Sequence, residues 1–289
     1  MTGGPVLIRL PVPDLTLPLV FDSPHSGTHF PDDFTSLATA AELRTAWDAH
    51  VDDLWAGATT FGASLIAAGF PRALIDANRA PDDLDPALLD APWPDAWGAL
   101  SPTRYSQRGM GLIRRDILPG RPMHAGRLSP ATVRDWITRY HAPYHAALSA
   151  RIDTLHAQFG AVWHIDCHSM KSRANAMNID HGAARPDIVL GDLDGQSASA
   201  GFSDLVARAF TDRGYSVARN APYKGGYIVQ RHGRPGAQRH SLQIEINRAL
   251  YLDEARAEKS PAYAAFRQDL TDISQQLADY VRAQTGRAK

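Results

Sequence analysis

Short apolar runs alternate along the chain with longer stretches in which apolar residues return at helical intervals. Pro18 to Ser23 reads as a buried strand ending in a Pro/His/Ser/Gly loop. Thr39 and Glu42 have capping-box spacing, and Leu43, Trp47, Val51, Leu54 and Ala58 follow at helical intervals, which predicts a helix through these residues. Strands are expected at 63–68 and 72–77, on either side of a turn at Gly69-Phe70-Pro71. Ser129-Pro130 opens a long predicted helix, serine as N-cap and proline in first position, that runs to Phe159 and stops at Gly160. Ala161 to Cys167 is another predicted strand ending on polar residues, with further strands at 187–191, 215–219 and 242–246. Helices are expected near 199–212 and 261–282.

Strands interleaved with helices predict an α/β fold, a mixed or mostly parallel sheet covered on both faces. The stretch from Pro81 to Arg127 differs: it is rich in Pro, Asp, Gly and Arg, weakly periodic, and too long for a structureless connector. An elaborated loop or lid over 81–127 is the expectation. With no internal repeat and no Ser/Gly linker, a single domain spanning 1–289 is expected.

Composition narrows the function classes. The chain has 289 residues, 44% hydrophobic and 21% charged, as in ordinary soluble globular proteins. A formal net charge of -1 gives no electrostatic case for nucleic acid or an anionic membrane surface. Cys167 is the only cysteine, so an intramolecular disulfide and a cysteine-rich zinc finger are both excluded. Neither a signal-peptide pattern nor a run of membrane-spanning length is found, so a cytoplasmic location is expected. The expected partner is a small molecule; nothing in the sequence bears on oligomeric state.

Ligands of open α/β sheets bind beyond the carboxyl ends of the strands. Three predicted strands finish on polar clusters there: Asp22-Ser23-Pro24-His25-Ser26-Gly27, Asp76-Ala77-Asn78-Arg79 and Asp166-Cys167-His168-Ser169. A fourth, Leu242 to Arg248, carries Glu245 inside an apolar strand, where burial is costly unless the carboxylate is paired or faces a cavity. If these segments are neighbours, two imidazoles, carboxylates and an arginine converge on one crevice, the composition of a catalytic zinc site. Asp48 and Asp52, one helical turn apart, could bring a further carboxylate to its mouth. Each feature alone is more often structural: a histidine at a strand end, a solvated helix face, an Arg79 ion pair in a turn, or a buried Glu245–Arg248 pair. Only together do they favour catalysis. Cys167 should point away from His168, into the core. A serine nucleophile is disfavoured, because neither Ser26 nor Ser169 sits in Gly-x-Ser-x-Gly.

Six stretches carry a resemblance. Phe21 to Gly27 with Pro31, His50-Val51-Asp52-Asp53-Leu54, Ile75 to Arg79, His164 to Met170, Tyr223 to Ile228, and Gln243 to Arg248 with Tyr251 are similar, in order, to the signatures of the N-formylglutamate amidohydrolase family. The resemblance covers about residues 15 to 280. More distantly the chain resembles zinc carboxypeptidases and aspartoacylases. That likeness implies a three-layer α/β/α, phosphorylase/hydrolase-like fold with a mixed, mostly parallel sheet and one catalytic zinc ion.

By this resemblance His25 and His168 are zinc ligands, Glu245 is the general base, and Asn78 and Arg79 grip a substrate carboxylate. Where the distant relatives have His-x-x-Glu, this chain has Thr28, so the carboxylate ligand must come from elsewhere. Asp52 is the choice, Asp48 the second candidate. Lys224 and Tyr227, in a Gly-Gly loop, and Arg114, in the 81–127 segment, are further candidates for the substrate, and Asp166 for orienting a metal-binding histidine. The implied reaction is hydrolysis of N-formyl-L-glutamate or a similar N-acyl amino acid. A zinc peptidase, a deacylase of another substrate, or a metal-free amino-acid-binding protein are the alternatives.

Overall fold

The computed structural model describes residues 4–177 and 181–286. In chain order its strands are β1 (Val6–Arg9), β2 (Leu19–Ser23), β3 (Ser64–Ala68), β4 (Asp116–Leu118), β5 (Arg121–Pro122), β6 (Val162–Met170), β7 (Ile188–Gly191), β8 (Val217–Arg219), β9 (Arg239–Asn247), β10 (Leu252–Asp253) and β11 (Glu258–Lys259). The main helices are α1 (Ala40–Arg44), α2 (Val51–Leu54), α3 (Arg104–Gln107), α4 (Pro130–Trp136), α5 (Ala142–Phe159), α6 (Ala200–Thr211), α7 (Tyr227–His232) and α8 (Tyr263–Gln284). Seven strands form one sheet in the order β1-β3-β2-β6-β9-β7-β8. The four central strands β3, β2, β6 and β9 are parallel, whereas β1 and the β7/β8 pair run against them. The architecture is the expected α/β fold with a mixed, mostly parallel sheet flanked by helices.

Alternation sorts the central strands into two different faces. Phe21 of β2, Trp163, Ile165 and Cys167 of β6, and Leu242, Ile244 and Ile246 of β9 point into one apolar layer, closed by α2, α6 and α8. Helix α8 supplies Phe266, Leu270, Ile273, Leu277 and Val281, all buried at helical spacing; burying each such side chain contributes about 1.5–3 kcal/mol. On the opposite face Val20 and Ile66 pack under Tyr144, Leu148, Ile152 and Leu155 of α5. On this face Asp22 of β2, His164, Asp166 and His168 of β6, and Gln243 and Glu245 of β9 interrupt the apolar positions, and there the site is built.

Two predicted elements differ from the structure. Thr39 does form a capping box with Glu42, but the helix stops at Arg44 and resumes only at Val51, with His50 in the left-handed region at φ 61°. Between them Trp47 Nε1 donates to the Ser26 carbonyl (2.8 Å) and Asp48 N to the His25 carbonyl (3.1 Å), so tertiary contacts override local propensity. The 72–77 segment forms turns instead of a strand, with Asp76 N donating to the carbonyl of Leu112 in the 81–127 stretch. The long helix from Ser129 is present but widens to a π turn over Ile137–His141. Pro143 explains this, since it has no amide hydrogen and its ring would strike the carbonyl four residues back. The 81–127 stretch holds only short elements, α3 and the β4/β5 hairpin among them, yet buries Leu84, Leu88, Leu112, Ile117 and Met123.

Candidate active site

Strand register sets the first two groups beside each other. His168 on β6 and Glu245 on β9 are paired positions, and Asp22 on β2 pairs with Asp166 on β6. His25 lies two residues beyond the end of β2, in the loop at the carboxyl edge of the sheet. Gly27 keeps this loop against the neighbouring one: a Cβ there would lie 2.4 Å from the Phe70 carbonyl oxygen.

The side chains of His25, Asp48 and His168, all buried, converge. His168 Nδ1 lies 3.1 Å from His25 Nδ1 and 3.1 Å from Asp48 Oδ2, and His25 Nδ1 lies 3.3 Å from the same oxygen. The far nitrogen of each ring faces a carboxylate: His25 Nε2 is 2.7 Å from Asp76 Oδ1, and His168 Nε2 is 2.8 Å from Asp166 Oδ1. Those carboxylates favour protonated Nε2 atoms, which leaves both Nδ1 atoms as lone-pair donors pointed at one spot. Two imidazoles and a carboxylate with their lone pairs facing inward repel one another unless a cation lies between them, and this donor set fits a divalent metal ion. Burial opposes a charge on His168, but Asp166 and Asp48 outweigh it and hold its pKa well above the ordinary value. A positive charge is favoured at this point.

The carboxylate in the cluster is Asp48's, which corrects the expectation placed on Asp52. Once the helix breaks at Thr45, residues 48 and 52 no longer share a face. Asp48 turns inward, where its Oδ1 accepts from Arg248 Nη2 (2.8 Å), while Asp52 sits 3.6 Å from Arg9. Glu245 is also buried, and Gln243 Nε2 donates to its Oε1 at 3.0 Å. Burial pushes its pKa up to about 7, with Asp48 adding to the rise and His168 and Arg72 working against it.

Around this centre lie several cations. Arg72 Nε donates to Asp76 Oδ2 (2.8 Å), completing a chain Arg72–Asp76–His25. Arg79 donates to the carbonyls of Met110 and Asn78 and stacks over Tyr105. Arg114 is different: its Nε is buried with no partner, and burial together with the nearby Arg72 and Arg79 guanidiniums lowers its pKa to about 9. Asp76 and Asp48 nearby oppose that drop.

Of the other expected substrate residues, Asn78 is committed to the frame. Its Oδ1 accepts from Ile228 N (2.9 Å), and its Nδ2 lies 3.3 Å from Asp166 Oδ2 and 2.9 Å from His168 Nε2. Gly226 packs so closely that a Cβ would lie 2.5 Å from the Asn78 amide. Lys224 is exposed and pairs with Asp194 at 2.6 Å, with no contact tying it to the cluster among the described residues. Tyr227 packs against the rings of His141 and His145, and its hydroxyl accepts from Arg231. Arg72 and Arg248 were missing from the sequence expectations as site residues. In the sequence Arg248 reads only as a partner for Glu245, and nothing pairs it with Asp48, 200 positions away.

The fold and site define a class: an α/β protein with a buried His/Asp/His cluster of metal-binding type at the carboxyl edge of its sheet. The sequence profile of the N-formylglutamate amidohydrolase family matches residues 17–252, and the chain belongs to that family. It is 43% identical to a solved structure of N-formylglutamate amidohydrolase from Ralstonia eutropha, with a TM-score of 0.92 over 97% of this chain and 99% of the other. N-formylglutamate deformylases of Pseudomonas aeruginosa and Pseudomonas putida are each 28% identical, over 89% and 90% of this chain and 88% of theirs. A solved gene product from Agrobacterium tumefaciens, 18% identical with a TM-score of 0.64 over 98% of this chain and 96% of its own, shares the fold. Among the described residues no helix is long and apolar enough to cross a membrane.

Proposed function

We propose that this chain hydrolyses N-formyl-L-glutamate, or a closely similar N-acyl amino acid, to formate and the free amino acid. The observation that carries the proposal is the convergence of His25, Asp48 and His168 beside Glu245, in a member of a family named for this reaction. His25, Asp48 and His168 would hold a zinc ion, whose donor preferences these three groups match. When bound, such an ion lowers the pKa of water and polarises a carbonyl.

Glu245, with a pKa raised to about 7, is poised to exchange a proton near neutrality. It removes a proton from the water that attacks the formyl carbon. It then returns that proton to the amino nitrogen as the carbon–nitrogen bond breaks. Asp76 and Asp166 hold the two imidazoles in the tautomer that offers Nδ1, and Arg72 fixes Asp76 in turn. Arg114 brings an unpaired guanidinium to the substrate carboxylate, with Arg79 beside it. Asn78 acts by position: it ties the Gly226–Ile228 backbone to Asp166.

The test is formate release from N-formyl-L-glutamate by the purified, zinc-loaded protein, together with its metal content. Glu245→Gln is expected to keep the metal and lose about 10²- to 10⁴-fold in kcat, the usual contribution of a general base. A variant that turns over at the wild-type rate would remove Glu245 from this role.

A further inference from the structure

The loop that carries Asp76, Asn78 and Arg79 lies outside the sheet, so its backbone carbonyls must find donors other than a strand ladder. The Asp76 carbonyl accepts from Arg79 N (3.1 Å), and the Asn78 carbonyl from the Arg79 guanidinium (3.1 Å). Histidines take the other two. His145 Nε2 donates to the Ala77 carbonyl (2.8 Å) and His141 Nε2 to the Arg79 carbonyl (2.9 Å). The reaction described above uses neither ring.

The helix is shaped for this grip. His141 ends the π turn that Pro143 imposes, and His145 follows four residues later in α5, with the two ring centres 4.3 Å apart. Tyr227, at the start of α7, packs on both rings, and the next amide, Ile228 N, donates to Asn78 Oδ1 (2.9 Å). The pair therefore bears on both backbone segments that Asn78 joins. His145 also keeps its Nδ1 buried without a partner, a cost that only the contact with Ala77 offsets. Burial lowers the pKa values of His141 and His145 to about 4 and about 3, so each is an uncharged donor at neutral pH. A lysine or arginine in either place would set a like charge beside Arg231.

We propose that His141 and His145 are positioning residues for the site, with separate effects. His145 holds the carbonyl between Asp76 and Asn78, whose side chains meet His25 Nε2 (2.7 Å) and His168 Nε2 (2.9 Å), and so it sets the metal-binding rings. His141 holds the carbonyl of Arg79 and so sets the guanidinium assigned to the substrate carboxylate. The proposal rests on the amidohydrolase reading above and deepens it.

The experiment replaces each ring by one that packs but cannot donate. In His145→Phe zinc affinity, read by competition with a chelator, should fall about 3- to 10-fold with KM unchanged. That is less than the about 10- to 100-fold cost of losing a group that touches a ligand directly. In His141→Phe the KM for N-formyl-L-glutamate should rise about 3- to 10-fold with kcat and zinc affinity unchanged, the pattern of lost substrate binding. His145→Gln and His141→Gln, whose amide nitrogens stand near the place of Nε2, should restore each value. A purely structural pair would lower the urea midpoint without this split or this rescue. Asparagine at either position is too short to reach the carbonyl, and replaces a phenylalanine variant that does not fold. Wild-type zinc affinity in folded His145→Phe, or equal shifts of both readouts in both variants, overturns the proposal. If wild type releases no formate, the reaction assigned above is wrong. Zinc affinity that falls in His145→Phe and returns in His145→Gln would then still support the clamp, and its absence would refute it.

Discussion

Three buried histidines should make this protein acid-labile, by an amount that can be worked out. His141, His145 and His232 line the helix side of the site, and burial lowers their pKa values to about 4, about 3 and about 3. Geometry gives the reason. His145 Nε2 faces the Ala77 carbonyl (2.8 Å) while its Nδ1 is buried with no partner, and His232 Nε2 is likewise unpartnered. A proton added there would find no acceptor among the described residues. These folded values lie below the unfolded value of about 6.5, so the unfolded chain takes up protons first as pH falls. Stability is therefore full above about pH 6.5 and declines towards the folded values. At pH 5 each histidine has removed about 2 kcal/mol, from 1.36 kcal/mol per unit over about 1.5 units. The three together remove about 6 kcal/mol, comparable with the whole stability of many domains. The perturbation that isolates one of them is His145→Gln, whose amide NH₂ can still donate to Ala77. Urea denaturation at pH 7.5 and pH 5.0 gives the loss for each protein. The loss in His145→Gln should be about 2 kcal/mol smaller than in wild type. Equal losses would refute a neutral, buried His145.

Other outcomes follow from the site. Asp48→Asn should abolish stoichiometric zinc binding, measured by metal analysis after dialysis, whereas Asp52→Asn should bind as wild type does. Asp76→Asn should weaken zinc binding about 10- to 100-fold by freeing the His25 ring, as read by competition with a chelator. Because Glu245 must be ionised to accept a proton, kcat/KM should fall as pH drops below about 7; a bound cation can only move that limb to lower pH. A pH profile with its acid limb above 7 would contradict the assignment. Gly226→Ala forces a Cβ to within 2.5 Å of the Asn78 amide and should cost about 1–3 kcal/mol in thermal or urea unfolding.

What was legible in the sequence was what alternation and chain punctuation determine. The polar interruptions in β2, β6 and β9 announced a site at the carboxyl edge, and Cys167 faces the apolar layer as its neighbours required. Asp48 stood in the sequence only as the second candidate for the cluster's carboxylate, behind Asp52. Its delivery depends on a helix break held by Trp47 and by a left-handed His50, both consequences of tertiary contact. Asn78 and Arg79 were found by motif, but their amide and guanidinium donate largely to this chain's own groups, which a motif cannot show. Arg72 lay in a segment read as a strand, where its pairing with Asp76 four residues on had no reason to be expected.

The two-faced character of β6 and β9 also constrains how the sheet can assemble. Nine consecutive residues of each pair in register, with His168 opposite Glu245 and Asp166 opposite Gln243. Sliding one strand past the other by a single residue would exchange its faces. Asp166 and His168, or Glu245, would then enter the layer under α8, and Ile244 or Cys167 would take their place. A charge stranded there costs several kcal/mol even after relaxation, so a misaligned pairing is rejected before any ligand arrives. The residues proposed to do the chemistry thus double as a proofreading code for strand alignment.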